Sequence, residues 1–590
     1  MRFIKTAYQQ IFLFIRNKLT RPQYITLVAT ITGLISGLVA VLLKIIVHYL
    51  QKSFTYGEWY YLILPAAGLV ITVFIVKYLF KGILDKGIAM VLKAIAKKSS
   101  FIPTSNIYKH VVTSSLTVGL GGSAGLEAPI VATGSSYGSF FGRITDLTYQ
   151  ERTLMIACGA AAGIAAVFNA PIAGVIFAIE VLLTETMVSY FIPLTISAVA
   201  GVLCSKIILQ ETILFNFILK QEFNYVNVPY YLILGVVAGF ISVYYARVFK
   251  AAEKKLHDFN WNIFLKATVG GAILAAIIFI FPPLFGEGYQ SVGELANGNA
   301  EGIVASNLFN LTDSNVSVLI FIGSIMLLKP VATAVTIGAG GNGGNFAPSL
   351  FVGSYLGFFF SRLLNTTGLV KVPESNFSLV GMAGVLSGVM YCPLTAIFLI
   401  AEITNGYGLF IPLMIVSAIS FFIVKHFEPF SMEIKKLAIE GEVFTHKKEQ
   451  NILTSIELDS IMGENYRSIS IAGNLGNLVE EIKKSEKNIF SIVDEKQKFA
   501  GVIELNDIKK LLFDPAKFES TSLRSITKKP RDIIYLDEPM QKVMDKFDHS
   551  QTWYLPVLDR EKNFIGFISK TKLFEKYREV LSAQNDLYEF

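Results

Sequence analysis

As far as Lys425 the chain is organised as long, nearly unbroken apolar runs. They lie near 24–48, 60–80, 153–183, 190–209, 229–247, 268–286, 316–328, 346–361, 376–401 and 409–424. Several are shorter than the roughly 20 residues of a full membrane span. Others are interrupted by Gly and Pro. Broken helices at membrane depth persist only where protein buries them or a watery cavity lies beside them, so the pattern predicts a transporter or pore rather than a simple bundle. The pattern changes after Lys425. Residues 433–590 become charged, with short alternating strands and amphipathic helices, as in a soluble unit.

Composition agrees. The 590 residues are 53% hydrophobic and 16% charged, with mean hydropathy +0.52, against roughly 25% charged in soluble domains. This predicts an integral membrane protein. Residues 1–23 carry Arg2, Lys5, Arg16, Lys18 and Arg21 and no acid, which predicts a cytoplasmic N-terminal segment and not a cleavable signal. Juxtamembrane Lys and Arg account for the net charge of +7, so no nucleic-acid partner is expected. Cys158, Cys204 and Cys392 all fall in apolar segments and read as small core residues, without metal spacing or a disulfide framework. No nucleophile–base set, metal cluster or phosphate loop stands out, so the chain does not read as an enzyme.

One carboxylate is out of place. Glu127 sits in Gly121-Gly122-Ser123-Ala124-Gly125-Leu126-Glu127-Ala128-Pro129, with no other Asp, Glu, Lys, Arg or His from Val111 to Gly142. A charge at membrane depth costs at least about 2.5–3.5 kcal/mol and is functional by default. The surrounding glycines suggest exposed backbone amides, which bind anions. The alternative is a structural carboxylate capping the following helix.

Both parts of the chain are duplicated. Gly125-Leu126-Glu127-Ala128-Pro129 aligns with Gly344-Asn345-Phe346-Ala347-Pro348 in the second half. Phe168-Asn169-Ala170-Pro171 leading to Glu180 aligns with Met390-Tyr391-Cys392-Pro393 leading to Glu402, at nearly the same offset and with the same Pro-to-Glu spacing. Interrupted segments at matching places in two halves point to the binding site of a repeat-built transporter. In the tail, Val493-Asp494 through Phe499-Ala500-Gly501-Val502-Ile503 recurs as Leu558-Asp559 through Phe564-Ile565-Gly566-Phe567-Ile568, with the same Asp-to-Gly spacing. Each tail copy reads as strand, turn, strand, helix.

These motifs resemble those of the CLC chloride channels and proton/chloride antiporters. Residues 125–129 are similar to the signature Gly-Arg/Lys-Glu-Gly-Pro, residues 344–348 to Gly-x-Phe-x-Pro, and Gly159 through Gly174 to a third. The tail resembles a pair of CBS motifs. The resemblance spans roughly residues 24–590. It implies an all-α polytopic membrane domain over 24–432, built as an inverted repeat of tilted, broken helices (halves 24–225 and 226–432). A linker (433–452) and a soluble α+β CBS pair over 453–590 (motifs 455–515 and 522–582) would follow. It implies a homodimer in a lipid bilayer, in a bacterial inner or plasma membrane with both termini cytoplasmic. Chloride or a similar small anion would be the bound ion, with no cofactor required.

By that resemblance Glu127 is the gate, and Gly125, Leu126, Glu127, Ala128, Asn345, Phe346 and Ala347 line the anion site. The sequence departs from the family elsewhere. Leu126 stands for a basic residue and Ala128 for Gly. At the inner site the best match is Asp85-Lys86-Gly87-Ile88-Ala89, with Lys86 where a serine would coordinate the ion. The inner tyrosine is missing from Phe427–Glu433, leaving Phe430 or Ser431 to narrow the pore. The antiporters' second glutamate is Val181 here. Glu180 reads as structural, and Glu185 as a substitute acid that nothing aligns. Loss of an internal acid favours a channel-like or weakly coupled pathway, with antiport by a non-standard proton path as the alternative. Adenine nucleotide at the CBS pair is doubtful, because the first copy has Asp507 with Glu504 at the hydroxyl position, and the second has Ser569 with Lys572 at the Asp position.

Overall fold

The computed structural model describes residues 16, 18–53, 59–82, 84, 87–97, 100–183, 188–209, 221–259, 261–298, 303, 315–368, 370–404, 406–435, 456, 458–463, 466–485, 487–536, 538 and 540–585. Lys86 and Glu185 lie outside the described residues. The chain forms two compact units, Met1–Val443 and Phe444–Phe590.

The first unit is helical. Its helices are α1 (Arg21–Lys52), α2 (Leu64–Phe74), α3 (Gly87–Lys97), α4 (Asn106–Gly119), α5 (Glu127–Ile144), α6 (Tyr149–Phe168), α7 (Pro171–Phe177) and α8 (Val188–Leu209). The second half follows with α9 (Val228–Asp258), α10 (Ile263–Ile280), α11 (Tyr289–Ala296), α12 (Asn315–Gly338), α13 (Phe346–Thr366), α14 (Glu374–Met390), α15 (Pro393–Ile403) and α16 (Phe410–Phe427). Eight among the described residues, α1, α6, α8, α9, α10, α12, α13 and α16, are long and apolar enough to cross a membrane. Large apolar side chains face outward on them, such as Phe422 (77% exposed) on α16 and Ile207 (73%) on α8. Water would disfavour such a surface, whereas lipid accepts it.

Two long apolar runs, 153–183 and 376–401, are each cut in the same way. Asn169 (φ 55°) and Tyr391 (φ 61°) are left-handed and end α6 and α14. Pro171 and Pro393, fixed at a helical φ and lacking an N–H, then start α7 and α15. The halves also pack alike. A Cβ on Gly134 of α5 would lie 2.2 Å from the carbonyl oxygen of Gly159 on α6, and one on Gly353 of α13 would lie 2.4 Å from that of Gly381 on α14. Only glycine lets those backbones meet.

The repeat swaps its acids between halves. Glu180 accepts from the backbone N–H groups of Leu394 (3.1 Å) and Thr395 (2.9 Å) at the start of α15. Glu402 accepts from those of Ile172 (3.0 Å) and Ala173 (2.8 Å) at the start of α7. Each half thus satisfies the orphan donors of the other's short helix.

The second unit holds two three-stranded sheets of one design. In the first, β1 (Ser468–Ser470) runs parallel to β2 (Ile489–Val493), which pairs antiparallel with β3 (Phe499–Glu504). In the second, β4 (Ile534–Tyr535), β5 (Tyr554–Leu558) and β6 (Phe564–Ser569) repeat that order. The repeated aspartates organise the turns. Asp494 accepts from the N–H of Lys498 and Asp559 from that of Asn563, both at 2.8 Å.

Candidate functional site

The two glycine loops meet. Gly125 N–H donates to the Gly344 carbonyl (2.9 Å) and Gly344 N–H to the Gly125 carbonyl (2.8 Å), an antiparallel bridge between repeat-equivalent positions. This sets the heads of α5 and α13 side by side. Glu127 is the first residue of α5 and is 1% exposed. Its Oε2 accepts from the Ala347 N–H at 3.3 Å, in the first turn of α13. Its Oε1 accepts from the hydroxyl of Tyr289 at 2.5 Å. Helix N-termini carry unpaired N–H groups and about half a positive charge, so this place suits an anion. The carboxylate occupies it.

The other residues expected to line the site divide. Phe346 is buried at the head of α13, against Phe168 and Phe177 with ring centroids 5.7 and 6.1 Å away. Ala347 supplies the donor described above. Ala128 is buried in the first turn of α5. Gly125 and Leu126, expected to line the anion site, have their amides engaged. The Gly125 N–H is taken by the bridge, and the Leu126 N–H donates to Glu287 Oε1 (3.2 Å). Asn345 caps nothing with its side chain. Its Oδ1 accepts from the Tyr245 hydroxyl (3.1 Å) and its Nδ2 donates to Glu433 Oε1 (3.3 Å).

Four residues around Glu127 escaped the sequence reading. Besides Tyr289, these are Lys44, Glu287 and Lys329, all buried. The Lys329 ammonium donates to Ser123 Oγ (2.9 Å) and to the Gly286 carbonyl (3.1 Å). The Lys44 ammonium lies 5.5 Å from the ring centroids of both Phe168 and Tyr289, and its charge acts on Glu127 and Glu287. Lys44 lies within a long apolar run and Lys329 at the end of one, so the argument that isolates Glu127 bears on them too.

Among the residues expected at an inner site, Gly87 starts α3 with φ 71°, and a Cβ there would approach Glu433 Oε2 to 3.3 Å. Ile88 is buried. Ser431 is buried, and its carbonyl accepts from the N–H groups of Ile434 (3.2 Å) and Lys435 (2.9 Å). Phe430 lines a cavity of about 210 Å³ together with Arg247, Lys250, Tyr391, Glu428, Met432 and Lys435. Burial works against ionisation of Glu428, but Lys435 (2.5 Å) and Arg247 (2.9 Å) outweigh it and hold its carboxyl below the usual range. Burial pushes the Glu433 carboxyl up. Val181 sits in the π-helical turn Ala178–Leu182 and packs against the core. In the second unit Asp507 pairs with Lys528 (2.8 Å), and the Ser569 hydroxyl accepts from the Lys572 N–H (3.1 Å).

Comparison with known proteins agrees with this architecture. Residues 67–425 match the family model described as voltage gated chloride channel, and residues 523–579 match the CBS domain. The chain is 30% identical over 320 residues to the voltage-gated ClC-type chloride channel ClcB of Escherichia coli O9:H4 (strain HS), covering 52% of this chain and 70% of that one. It is 26% identical over 457 residues to the chloride channel protein CLC-f of Arabidopsis thaliana, covering 69% of this chain and 57% of the plant protein. The fold is similar to the crystal structure of a slow cyanobacterial Cl⁻/H⁺ antiporter (TM-score 0.61, 19% identity, 72% of this chain and 98% of that one). It is also similar to that of a eukaryotic CLC transporter (TM-score 0.60, 15% identity, 93% and 97%).

Proposed function

The chain belongs to the voltage gated chloride channel family, and on that premise we propose that it moves chloride, or a similar small anion, across a membrane through a pathway gated by Glu127. One observation carries the reading. The Glu127 carboxylate sits at the head of α13 and takes the Ala347 N–H, the kind of donor a dehydrated anion requires. Ionised, it fills the anion's place and blocks it. Protonated, or displaced by chloride, it leaves and frees the donor. Backbone amides bind an anion without the full charge that would trap it, and conduction needs release as much as capture.

The pathway is channel-like or weakly proton-coupled. Val181 cannot carry a proton, and Glu180 is committed to the head of α15. Proton/chloride antiport by a non-standard internal path is the second reading, favoured by Glu433, a carboxylate beside Asn345. The protein works as a homodimer in a bacterial inner or plasma membrane, with both termini on the cytoplasmic side. The CBS pair serves structure or dimer contact, because Asp507 and Ser569 are engaged within the unit.

The test is purified protein in liposomes with simultaneous chloride and pH readout. Wild type moves chloride with little uphill proton movement, and Glu127→Gln changes chloride flux and abolishes any coupled proton movement. Unchanged flux and coupling in that variant would sink the gate. Robust stoichiometric proton pumping by wild type would overturn the channel-like mode.

A further inference from the structure

Two cations and two carboxylates are buried together around the proposed gate: Lys44 on α1, Glu127 at the head of α5, Glu287 just before α11 and Lys329 on α12. Distant stretches of the chain supply them. Glu287 Oε1 accepts from the Leu126 N–H, next to Glu127, at 3.2 Å. The Lys329 ammonium donates to Ser123 Oγ (2.9 Å) in the same loop and to the Glu287 carbonyl (3.4 Å). The Lys44 ammonium donates to the Val167 carbonyl at the end of α6 (3.5 Å) and stands 5.5 Å from the ring centroids of Phe168 and Tyr289. Tyr289 in turn donates its hydroxyl to Glu127. The charges of Lys44, Glu127, Glu287 and Lys329 act on one another.

The formal charges in this group cancel, two against two. The balance matters because an uncompensated ion in a low-dielectric interior is costly. When Glu127 is protonated or swings away, Lys44, Lys329 and Glu287 are left with one positive charge in excess. We propose that this excess sets the affinity of the anion site: the group takes one monovalent anion in exchange for the Glu127 carboxylate, with Lys44 strengthening the hold and Glu287 weakening it. This rests on the chloride-transport reading above.

The geometry divides the work. The donors that the departing carboxylate frees are neutral, the Ala347 N–H and the Tyr289 hydroxyl. The ammonium groups are held elsewhere, Lys329 by Ser123 and two carbonyls and Lys44 by the Val167 carbonyl. They therefore act on the anion as a field and not as ligands. Glu287 cancels one of the two, which keeps the net attraction to a single charge. An anion so held is favoured but still released, as transport requires. Lys44 and Glu287 are thus positioning residues of opposite sign, and that sign is what separates them from packing groups.

The test is calorimetric titration of chloride into the full-length protein in detergent and chloride-free buffer. Glu127→Gln serves as the parent, so that the carboxylate no longer competes, and it is expected to bind chloride. Lys44→Met in that parent should weaken binding by about tenfold or more, the least that a unit charge acting through a protein interior would give. Glu287→Gln keeps an oxygen for the Leu126 N–H but removes the negative charge, and should tighten binding by about as much. A residue that only held the loop would weaken binding when altered. The double variant Lys44→Met/Glu287→Gln restores the charge count and should bind close to the parent. Glu287→Gln decides the matter if Lys44→Met fails to fold. Unchanged or weaker binding in Glu287→Gln, or unchanged binding in Lys44→Met, overturns the proposal and leaves the chloride reading standing. A parent that binds no chloride also overturns it. Wild type passing no chloride in liposomes sinks the chloride reading itself.

Discussion

The phenol of Tyr289 donates to Oε1 of Glu127 across 162 residues of sequence. It joins the first residue of α11 to the first residue of α5, so the carboxylate is held from two sides, by Tyr289 and by the Ala347 amide. In the gating proposed for Glu127 these two bonds are the latch, firm enough to close and weak enough to yield. A hydrogen bond to a charged group contributes about 1.5–3 kcal/mol, which is within reach of protonation or of competition by the anion.

Tyr289→Phe removes one side of that latch and preserves the ring that packs against Phe168. Chloride flux through liposomes at neutral pH should rise by about tenfold or more, the equivalent of one charged hydrogen bond. Flux at or below wild type, in protein that elutes normally, would mean that Tyr289 does not restrain the gate.

Gly125→Ala should open the same gate by force. The added Cβ would lie 2.3 Å from Glu127 Oε2 and 3.0 Å from the Ala347 nitrogen. The carboxylate is the flexible end of its side chain and gives way before the backbone does. Flux is expected to rise toward the Glu127→Gln level, and combining the two substitutions should add nothing further. A Gly125→Ala effect that persists in the Glu127→Gln background would place it in the backbone instead.

The exchanged caps separate structure from proton chemistry. Glu180→Gln and Glu402→Gln each remove a charged acceptor from the head of a short helix in the opposite half. Each should lower stability by about 1–2 kcal/mol, seen as a lower midpoint of thermal unfolding in detergent. The ratio of proton to chloride movement should match wild type in both. A loss of proton movement in Glu180→Gln alone would make that residue a carrier.

The reading of the CBS pair has its own check. Asp507 is paired with Lys528, and Ser569 caps the helix that follows it, so each would have to exchange a present partner for a ribose or phosphate. Calorimetry of the full-length protein with ATP should give a dissociation constant weaker than about 100 µM, equivalent to roughly −5.5 kcal/mol. Micromolar binding would reinstate a nucleotide site.

Glu127 and the repeats were legible because their signals are local: one charge in an apolar run, and motifs recurring in the same order in both halves. The exchange between halves was not. Spacing equates Glu180 with Glu402, but only the packing of α7 against α15 shows that each serves the other's helix. Tyr289 was hidden for a similar reason, since a phenol at the head of a short helix carries no mark of a partner 162 residues away. The partners of Gly125 and Leu126 were hidden too, because a glycine-rich loop carries no mark of the groups that take its amides, as Gly344 and Glu287 do. Lys44 and Lys329 could have been found, since one is a cation inside an apolar run and the other a cation at the end of one.

Those cations make the last prediction. Lys44, Glu127 and Glu287 act on one another at a buried site, and Lys329 reaches the backbone of Gly286 beside them. Buried ions are tolerated when balanced, and removing one partner leaves the other uncompensated at a cost of about 3–5 kcal/mol. Lys44→Met should therefore destabilise the protein strongly. Adding Glu287→Gln neutralises the stranded carboxylate, so the double variant should recover part of the loss. A double-mutant cycle on unfolding in detergent should give a coupling energy of about 1–3 kcal/mol, the range for residues within one charge network. Additive losses would show that Lys44 and Glu287 stand independently.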